Sequence, residues 1–105
     1  STAAERLREF TRTPQYEGYL QRKLKSVESE FVSGVTVCAA ASEDIETLRR
    51  LCGIDNVEFV SADADIIGGF TLKNTELGIF ADCTLKSALE LQREAFFENS
   101  GLVID

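Results

Sequence analysis

Two segments of the chain decide its fold: IIGGFTL at residues 66–72 and LGIFA at residues 77–81. Both are rich in residues that favour β-structure, and the polar residues 73–75 between them are typical of a turn. They therefore predict two antiparallel strands joined as a hairpin, the second of which ends at Asp82.

Gly68 and Gly69 stand inside the first of these strands. Glycine within a strand indicates a bulge or a close approach of another part of the backbone. The alternative is a phosphate-binding site, but a P-loop needs lysine followed by serine or threonine at a fixed offset, and a dinucleotide-binding fold needs Gly-x-Gly-x-x-Gly at the start of a helix. The sequence has neither pattern, which favours the structural interpretation.

Upstream of the hairpin, the sequence predicts two more strands with a helix between them. Residues 35–40 form a continuous apolar run, typical of a strand that is covered on both faces, and residues 57–60 are typical of a second strand. Ser42 is the expected N-cap of the intervening helix, which ends at Gly53. The apolar stripe of this helix consists of Ile45, Leu48 and Cys52.

Residues 1–31 have helical periodicity with one interruption. At the interruption, Thr13 can serve as the N-cap and Pro14 as the first residue of a second helix. Apolar side chains then recur every three or four residues, which indicates one buried stripe. This stripe consists of Tyr16, Tyr19, Leu20, Leu24, Val27 and Phe31.

A last helix follows the hairpin, with Asp82 or Thr84 as its N-cap. One face of it carries Leu85, Ala88, Leu89, Gln92 and Phe96. The order α-α-β-α-β-β-β-α predicts an α+β two-layer domain with a four-stranded sheet packed by helices. We expect residues 1–31 to form a helical segment and residues 32–105 a globular α+β domain, together making one structural unit.

Composition argues against several classes of function. A length of 105 residues fits one small domain, and the formal net charge of −7 disfavours binding to nucleic acids. The densest basic stretch is flanked by glutamates and is expected to be an exposed helix face; it consists of Arg22, Lys23 and Lys25. Neither a signal peptide nor an apolar run of about 18 residues is present in this sequence, so we expect no direct membrane insertion.

The sequence contains no histidine, the commonest general base and metal ligand. Asp63 and Asp65 lack the glycine and glutamate of an EF-hand and are expected to lie in a solvated loop. Glu43, Asp44 and Glu46 are expected to be first-turn partners of a helix dipole rather than an acid–base pair. We therefore expect no catalytic residue, no metal site and no cofactor.

The three cysteines are an odd number at wide spacing, which indicates reduced thiols rather than disulfides or a zinc site. Cys38 and Cys52 lie on apolar patterns and are expected to be shielded in the core. Cys83 stands at the mouth of the last helix. The helix N-terminus would lower the pKa of this thiol, and the neighbouring Asp82 would oppose that effect.

The C-terminal residues contain the candidate protein interface. Phe96 and Phe97 cannot both face the same core, because successive helical positions are turned by about 100°. One of them is then available to a partner, unless the tail folds back and covers it. The apolar residues after Gly101 add to this surface, so that the candidate interface consists of Phe97, Leu102, Val103 and Ile104.

Three parts of the chain together resemble the E subunit of V/A-type ATPases: IIGGF at residues 66–70, the hairpin that follows, and DCTL at residues 82–85 leading into an amphipathic helix. The residues that match the family's motif are Gly68, Gly69, Asp82, Thr84 and Leu85. Three departures stand beside the match. Cys83 occupies a position where asparagine is common, the hairpin turn lacks the frequent Asp-Gly, and Gly101 interrupts what is often a continued helix.

The resemblance implies a stator role. The E subunit pairs with a second peripheral-stalk subunit through a long N-terminal coiled coil, and its globular end binds the catalytic head. For this chain the resemblance implies the C-terminal domain of such a non-catalytic subunit, in a rotary proton or sodium ATPase or ATP synthase. It would dock on the non-catalytic head subunit at the cytoplasmic face and associate with the membrane through the complex.

No long heptad array is present in this sequence, and residues 1–12 are expected to be the last turns of the family's coil. An alternative to the stator role is a small regulatory or ligand-binding α+β domain, which would need a pocket with converging polar groups. An independent enzyme that uses an acid pair or Cys83 is the other alternative, and the residue pattern favours it least.

Overall fold

A computed structural model describes residues 3–90 of the chain. Its elements are α1 (Ala3–Phe10), α2 (Pro14–Val27), β1 (Thr36–Ala40), α3 (Ile45–Leu51), β2 (Val57–Ser61), β3 (Gly69–Asn74), β4 (Ile79–Thr84) and a last helix, α4, described over residues 85–90. Short 3₁₀ turns at Glu28–Glu30 and Ser42–Asp44 follow α2 and precede α3. The order α-α-β-α-β-β-β-α and the α+β class predicted from the sequence are confirmed.

The four strands form one mixed sheet in the order β2-β1-β3-β4. β1 and β2 run parallel, with Thr36 opposite Val57, and α3 lies in the crossover between them. The other two pairs are antiparallel, and Val37 of β1 lies opposite Lys73 of β3. The parallel pair needs the crossover because the end of one strand and the start of the next lie at opposite ends of the sheet.

The core lies between one face of the sheet and the helices. Side chains from α2, from α3 and from every second position of β1 are buried there. The largest of them are Phe70, Leu20, Leu24, Leu48 and Leu72. Leu85 is buried in the same cluster, so the first turn of α4 contributes to this core. Ile66, before β3, is buried outside the cluster.

The prediction that β1 is covered on both faces is wrong for the part of the chain that the structure describes. Thr36, Cys38 and Ala40 are buried, whereas Val37 and Ala39 on the outer face are half-buried. An uninterrupted apolar run suggested two covered faces, but here it combines a core face with an outer face of small and medium side chains. Burial alternates along β1 with the period of two that a strand requires, but the hydropathy of these residues does not alternate.

The turn of the hairpin lies later in the chain than predicted, because Lys73 and Asn74 belong to β3 and residues 75–78 form the turn before β4. Asn74 is fully buried and lies opposite Ile79 in the ladder. Its amide nitrogen donates to the carbonyl of Ser33 at 2.8 Å and to Thr36 Oγ1 at 3.3 Å, while its amide oxygen accepts from the Leu77 N–H at 2.9 Å. A polar side chain that looked like a turn residue is thus a satisfied core residue.

The predicted start of β3 is corrected as well. The strand begins at Gly69, so the apolar pair Ile66 and Ile67 precedes it rather than forming part of it. Ile66 donates its N–H to the carbonyl of Ala62 at 2.9 Å, which closes a turn instead of joining the sheet ladder.

Two of the predicted helix starts differ from a simple N-cap. Thr13 occupies the N-cap position with Pro14 first in α2, but its hydroxyl donates to the carbonyl of Phe10 at 2.7 Å. Ser42 is not the cap of α3. Its N–H and its hydroxyl both donate to Asp63 Oδ1, at 2.8 and 3.2 Å, which ties the turn before α3 to the loop after β2.

The start of α4 agrees with the prediction. Thr84 Oγ1 accepts from the Ser87 N–H at 3.3 Å, the bond that an N-cap makes to the third helical residue. Asp82 supports the cap, because its Oδ1 accepts from both the N–H and the hydroxyl of Thr84, at 3.0 and 2.7 Å. Within residues 3–90, no helix combines the length and the apolar character that crossing a bilayer requires.

Candidate functional site

The glycine pair before Phe70 lies against the start of α4. Gly69 has a φ of 83°, and a Cβ there would lie 2.6 Å from Thr84 Cα and overlap the carbonyl oxygen of Cys83. A Cβ on Gly68 would lie 2.8 Å from Thr11 Cγ2 in the connection between α1 and α2. The carbonyl of Gly68 accepts from the Leu85 N–H at 3.0 Å. The positive φ and the contact with the backbone of β4 require glycine at position 69, whereas the close neighbours of Gly68 are side-chain atoms of Thr11 and Leu85.

These contacts bring together the five residues named as the family motif, around the point where β3 begins and β4 ends. Gly69 lies opposite Thr84 in the ladder, Gly68 bonds Leu85, and Asp82 holds Thr84. Partial burial disfavours the charged form of Asp82, but hydrogen bonds from Thr84 and Ser87 outweigh it and hold the pKa of this carboxyl below its usual range.

A buried tyrosine connects this point to the helices. The hydroxyl of Tyr16 in α2 donates to Asp44 Oδ2 at 2.6 Å and accepts from the Gly69 N–H at 2.7 Å. The side chains of Tyr16 and Asp44 are both buried. One hydroxyl group thus links α2, the turn before α3 and the first residue of β3.

The interpretation of Asp44 as a first-turn partner of the helix dipole did not include the burial of its side chain or its bond to Tyr16. Spacing along the chain indicated a first-turn position for Asp44, and the structure places it in the 3₁₀ turn beneath α2. The sequence did hold one signal for this contact. Tyr16 lies on a buried stripe, and a buried tyrosine hydroxyl needs a polar partner.

Burial controls the electrostatics of this pair. Burial raises the pKa of Tyr16 well above its ordinary value, the hydrogen bond to Asp44 raises it further, and the Gly69 amide acts in the opposite direction. Burial also raises the pKa of Asp44, against the effect of the Tyr16 hydrogen bond. Tyr16 therefore stays protonated at neutral pH and acts as a donor. The pair is suited to holding elements together rather than to transferring protons.

Aromatic stacking extends the same connection to α1 and β4. The rings of Tyr16 and Tyr19 stack with centroids 6.4 Å apart, and Phe10 of α1 meets both rings edge-on, at 5.8 and 6.2 Å. The hydroxyl of Tyr19 donates to the carbonyl of Cys83 at 3.1 Å, and burial raises the pKa of Tyr19 to about 12. We call Phe10, Tyr16, Tyr19, Asp44 and Gly69 the helix–sheet joint.

The three thiols are free, and none has the environment of a reactive cysteine. Burial raises the pKa of Cys38 to about 12. It also raises the pKa of Cys83, with Lys23 opposing and Asp82 assisting, so the thiol at the mouth of α4 is a buried side chain rather than an activated one. Cys52 is half-buried, less shielded than its apolar pattern predicted, although burial raises its pKa as well.

Two open clefts lie beside Asp44, one of about 490 Å³ at the elbow between α1 and α2 and one of about 460 Å³ beside the loop that follows β2. The second cleft contains Arg8 and Arg12 as well as Glu43 and Asp63. These side chains carry both signs of charge, and Asp63 already bonds Ser42. Among residues 3–90, no group of three or more His, Cys, Asp or Glu side chains is placed to hold a metal ion.

The remaining predicted residues are distributed as follows. Asp63 and Asp65 are exposed, as expected for a solvated loop. In the basic stretch of α2, Arg22 and Lys25 are exposed, while Lys23 is half-buried with its ammonium 5.8 Å from the centre of the Tyr19 ring. The candidate interface residues Phe97, Leu102, Val103 and Ile104, together with Phe96, lie outside the described residues.

Comparison with known proteins gives a similarity that extends over most of the chain. No family model matches the chain. Over 94 residues the chain is 29% identical to the V-type ATP synthase E subunit 2 from Clostridium tetani (strain Massachusetts / E88), and the alignment covers 86% of this chain and 46% of the relative. The chain is therefore similar to an E subunit over most of its own length, and it spans about half the length of that curated relative.

Proposed function

We propose that the chain is the C-terminal domain of a non-catalytic E subunit in the peripheral stalk of a V/A-type rotary ATPase or ATP synthase. The observation that carries this proposal is the 94-residue similarity to a V-type ATP synthase E subunit. The arrangement of Gly68, Gly69 and Leu85 at the start of α4 supports it, because the motif that resembles the family forms one packed structural feature.

In this proposal the domain transmits load and does no chemistry. A rotary motor needs a static strut, since otherwise the catalytic head would turn with the rotor. The helix–sheet joint supports such a role. Tyr16 and Tyr19 attach α2 to the turn before α3 and to both strands of the hairpin, with hydrogen bonds of 2.6, 2.7 and 3.1 Å. A load arriving along α2 would reach the sheet through several short contacts at once.

The proposed partners follow from the family resemblance. Residues 1–31 lead from a coiled coil shared with a second peripheral-stalk subunit, and residues 32–105 dock on the non-catalytic subunit of the head. Phe97 and the apolar residues 102–104 provide one docking surface. The complex holds the domain at the cytoplasmic face of a membrane. No nucleic acid, metal or cofactor takes part, and the subunit hydrolyses no ATP by itself.

Affinity purification of the full-length subunit tests the proposal. The tagged subunit would be expressed in its own host at native level and purified in mild detergent. We expect the catalytic and non-catalytic head subunits and a second stalk subunit to be recovered in fixed ratios, and we expect the ATPase activity to be lost when the head is removed. Recovery of a functional tagged subunit without any rotary-ATPase component would refute the proposal.

A further inference from the structure

One end of the sheet carries an apolar surface that the core does not use. Four large apolar side chains there are exposed, at fractions of 76% for Val32, 52% for Val35, 38% for Leu77 and 62% for Phe80. We call these four residues the hairpin-end patch. Single exposed apolar residues are ordinary, but a group of them at one place on a small acidic domain is typical of an interaction surface.

Hydrogen bonds place the two chain segments of the patch side by side. Asn74 bonds the carbonyl of Ser33 in the loop before β1, and it also accepts from the Leu77 N–H in the hairpin turn. Gly34 lies so close to Glu76 of this turn that a Cβ on Gly34 would be 3.2 Å from Glu76 Cβ. The loop and the turn therefore form one continuous surface.

The strand register extends this surface onto the outer face of the sheet. Val37, Lys73 and Phe80 lie opposite one another across β1, β3 and β4. Side chains two positions apart point to the same face of an extended chain, so Val35, just before β1, adds to the surface on the side of Val37. With adjacent strands about 4.8 Å apart, Val37 and Phe80 are separated by about 10 Å across the sheet. A single partner segment can contact all of them.

The charges around the patch indicate the chemistry of the partner. Glu58 and Glu76 are exposed at its border, while Lys73 is the one basic residue in the row between Val37 and Phe80. A second copy of the chain would bring carboxylates against carboxylates, which is unfavourable. The surface that fits is an apolar pocket bordered by lysine and arginine side chains.

The position of the patch indicates which side of the molecule this partner approaches. Thr11, in the connection after α1, packs against Gly68 just before β3 begins, whereas Asn74 beside the patch ends that strand. A strand of six residues is about 17 Å from its first Cα to its last. The patch therefore lies at the end of the sheet remote from the connection after α1.

We propose that the hairpin-end patch is a second docking surface, which binds a basic-bordered apolar pocket on the catalytic head. This inference rests on the proposed stator function and adds to it a surface formed by residues other than 97–104. Phe80 and Val35 are the anchors that enter the pocket. Glu58 and Glu76 steer the encounter and face the basic border.

The test measures binding of the full-length subunit to purified catalytic head by surface plasmon resonance. Phe80→Ser is expected to raise the Kd at least about tenfold, since interface energy concentrates in a few buried anchors. Val60→Ser is the matched control. Val60 is exposed at 42% on β2, outside the patch, and its replacement should leave the Kd unchanged. Glu76→Gln should lower the association rate and reduce its dependence on salt.

The outcomes distinguish three possible partners of the patch: the catalytic head, a second copy of the chain and the chain's own tail. Wild-type affinity for Phe80→Ser and for Leu77→Ser, both with unchanged melting, would overturn the patch while leaving the stator proposal intact. Failure of the wild-type protein to bind the head would overturn both. A dimer in sedimentation equilibrium that Phe80→Ser dissociates would identify a second copy as the occupant and overturn the head-docking role. A last outcome is that Phe80→Ser lowers the melting temperature of the full chain but not that of a chain lacking residues 99–105. The chain's own tail would then cover the patch, and the docking proposal would be overturned.

Discussion

Tyr16 and Asp44 are 28 positions apart in the chain, and their side chains meet at 2.6 Å beneath α2. The same hydroxyl accepts the N–H of Gly69, so one oxygen atom satisfies groups from two other elements. Because all of these groups are buried, removing the hydroxyl would leave a carboxylate and a backbone N–H without their partner. The consequences for stability are large enough to measure.

Tyr16→Phe should lower the free energy of unfolding by about 2 kcal/mol or more, because each buried polar group left unpaired costs about 1–3 kcal/mol. Tyr19→Phe is the matched control. Its hydroxyl makes a 3.1 Å bond from a half-buried position, and its loss should cost about 1 kcal/mol. Urea unfolding followed by circular dichroism measures both. Equal losses in the two variants would contradict the role assigned to Tyr16.

Asp44→Asn should change the pH dependence of stability. Burial raises the pKa of Asp44 in the folded state, so the folded chain binds a proton more readily than the unfolded chain. The free energy of unfolding of the wild type, relative to that of Asp44→Asn, is therefore highest below the pKa that Asp44 has in the unfolded chain. It falls as the pH rises through the pKa that Asp44 has in the folded chain. Urea midpoints of both proteins between about pH 3.5 and 7 test this. A difference that is constant with pH, or that changes in the wild type's favour as the pH rises, would contradict it.

Gly69→Ala should be severely destabilising, by more than about 3 kcal/mol, because an added Cβ meets both a positive φ and the backbone of β4. Gly78→Ala separates the two causes. Gly78 also has a positive φ, of 68°, but nothing lies within 4 Å of a Cβ there, so only the backbone strain of about 1 kcal/mol remains. Thermal melting of both variants gives the comparison, and similar melting temperatures would disprove the close-packing argument.

The thiols should react with a disulfide reagent in a fixed order. Cys52 is half-buried and should be labelled first in the native protein, while the buried Cys38 and Cys83 should be labelled slowly. Cys52→Ser should remove the fast phase and leave the slow phases unchanged. In denaturant, all three thiols should react alike. A fast phase that survives in Cys52→Ser would show that one of the core thiols is accessible.

Phe97→Ala should weaken binding to the non-catalytic head subunit and leave thermal melting unchanged, because loss of an interface anchor typically costs about 2 kcal/mol or more. Phe96→Ala is the paired variant. The sequence pattern predicts that Phe96 shares the stripe of Leu85 and Leu89, so its loss should destabilise the domain by about 3–5 kcal/mol. Early melting of Phe97→Ala, or wild-type affinity for the head, would show that the surface has been assigned to the wrong residue.

Features that depend on local sequence could be predicted, and the element order is the main one. The cap at Thr84 and the close approaches at Gly68 and Gly69 also follow from residue types at short range. Features that depend on a distant partner could not be predicted in the same way. Asn74 resembled a turn residue because its partners, Ser33 and Thr36, are about 40 positions away in the chain.

In the candidate site, too, features set by the local sequence could be predicted and features set by distant residues could not. The motif that resembles the E subunit was visible as a pattern of glycines and a helix start. The buried position of Asp44 was not visible, because nothing near it in the sequence marks the helix that covers it. A buried tyrosine predicts that some polar partner exists. It does not identify that partner, since residues on several elements could supply an oxygen atom.

The placement of β1 between a parallel and an antiparallel neighbour also sets an order for folding. The β3–β4 hairpin closes over a short turn, and such hairpins form within about 1–10 μs. Pairing of β1 with β3 must wait for a much longer loop to close, and β2 can join only after the α3 crossover has formed. Pulse-labelling hydrogen exchange should therefore protect the amides shared by β3 and β4 before those of β2. In the native chain, β1 and β3 should exchange more slowly than the edge strands β2 and β4, because both edges of each central strand are paired.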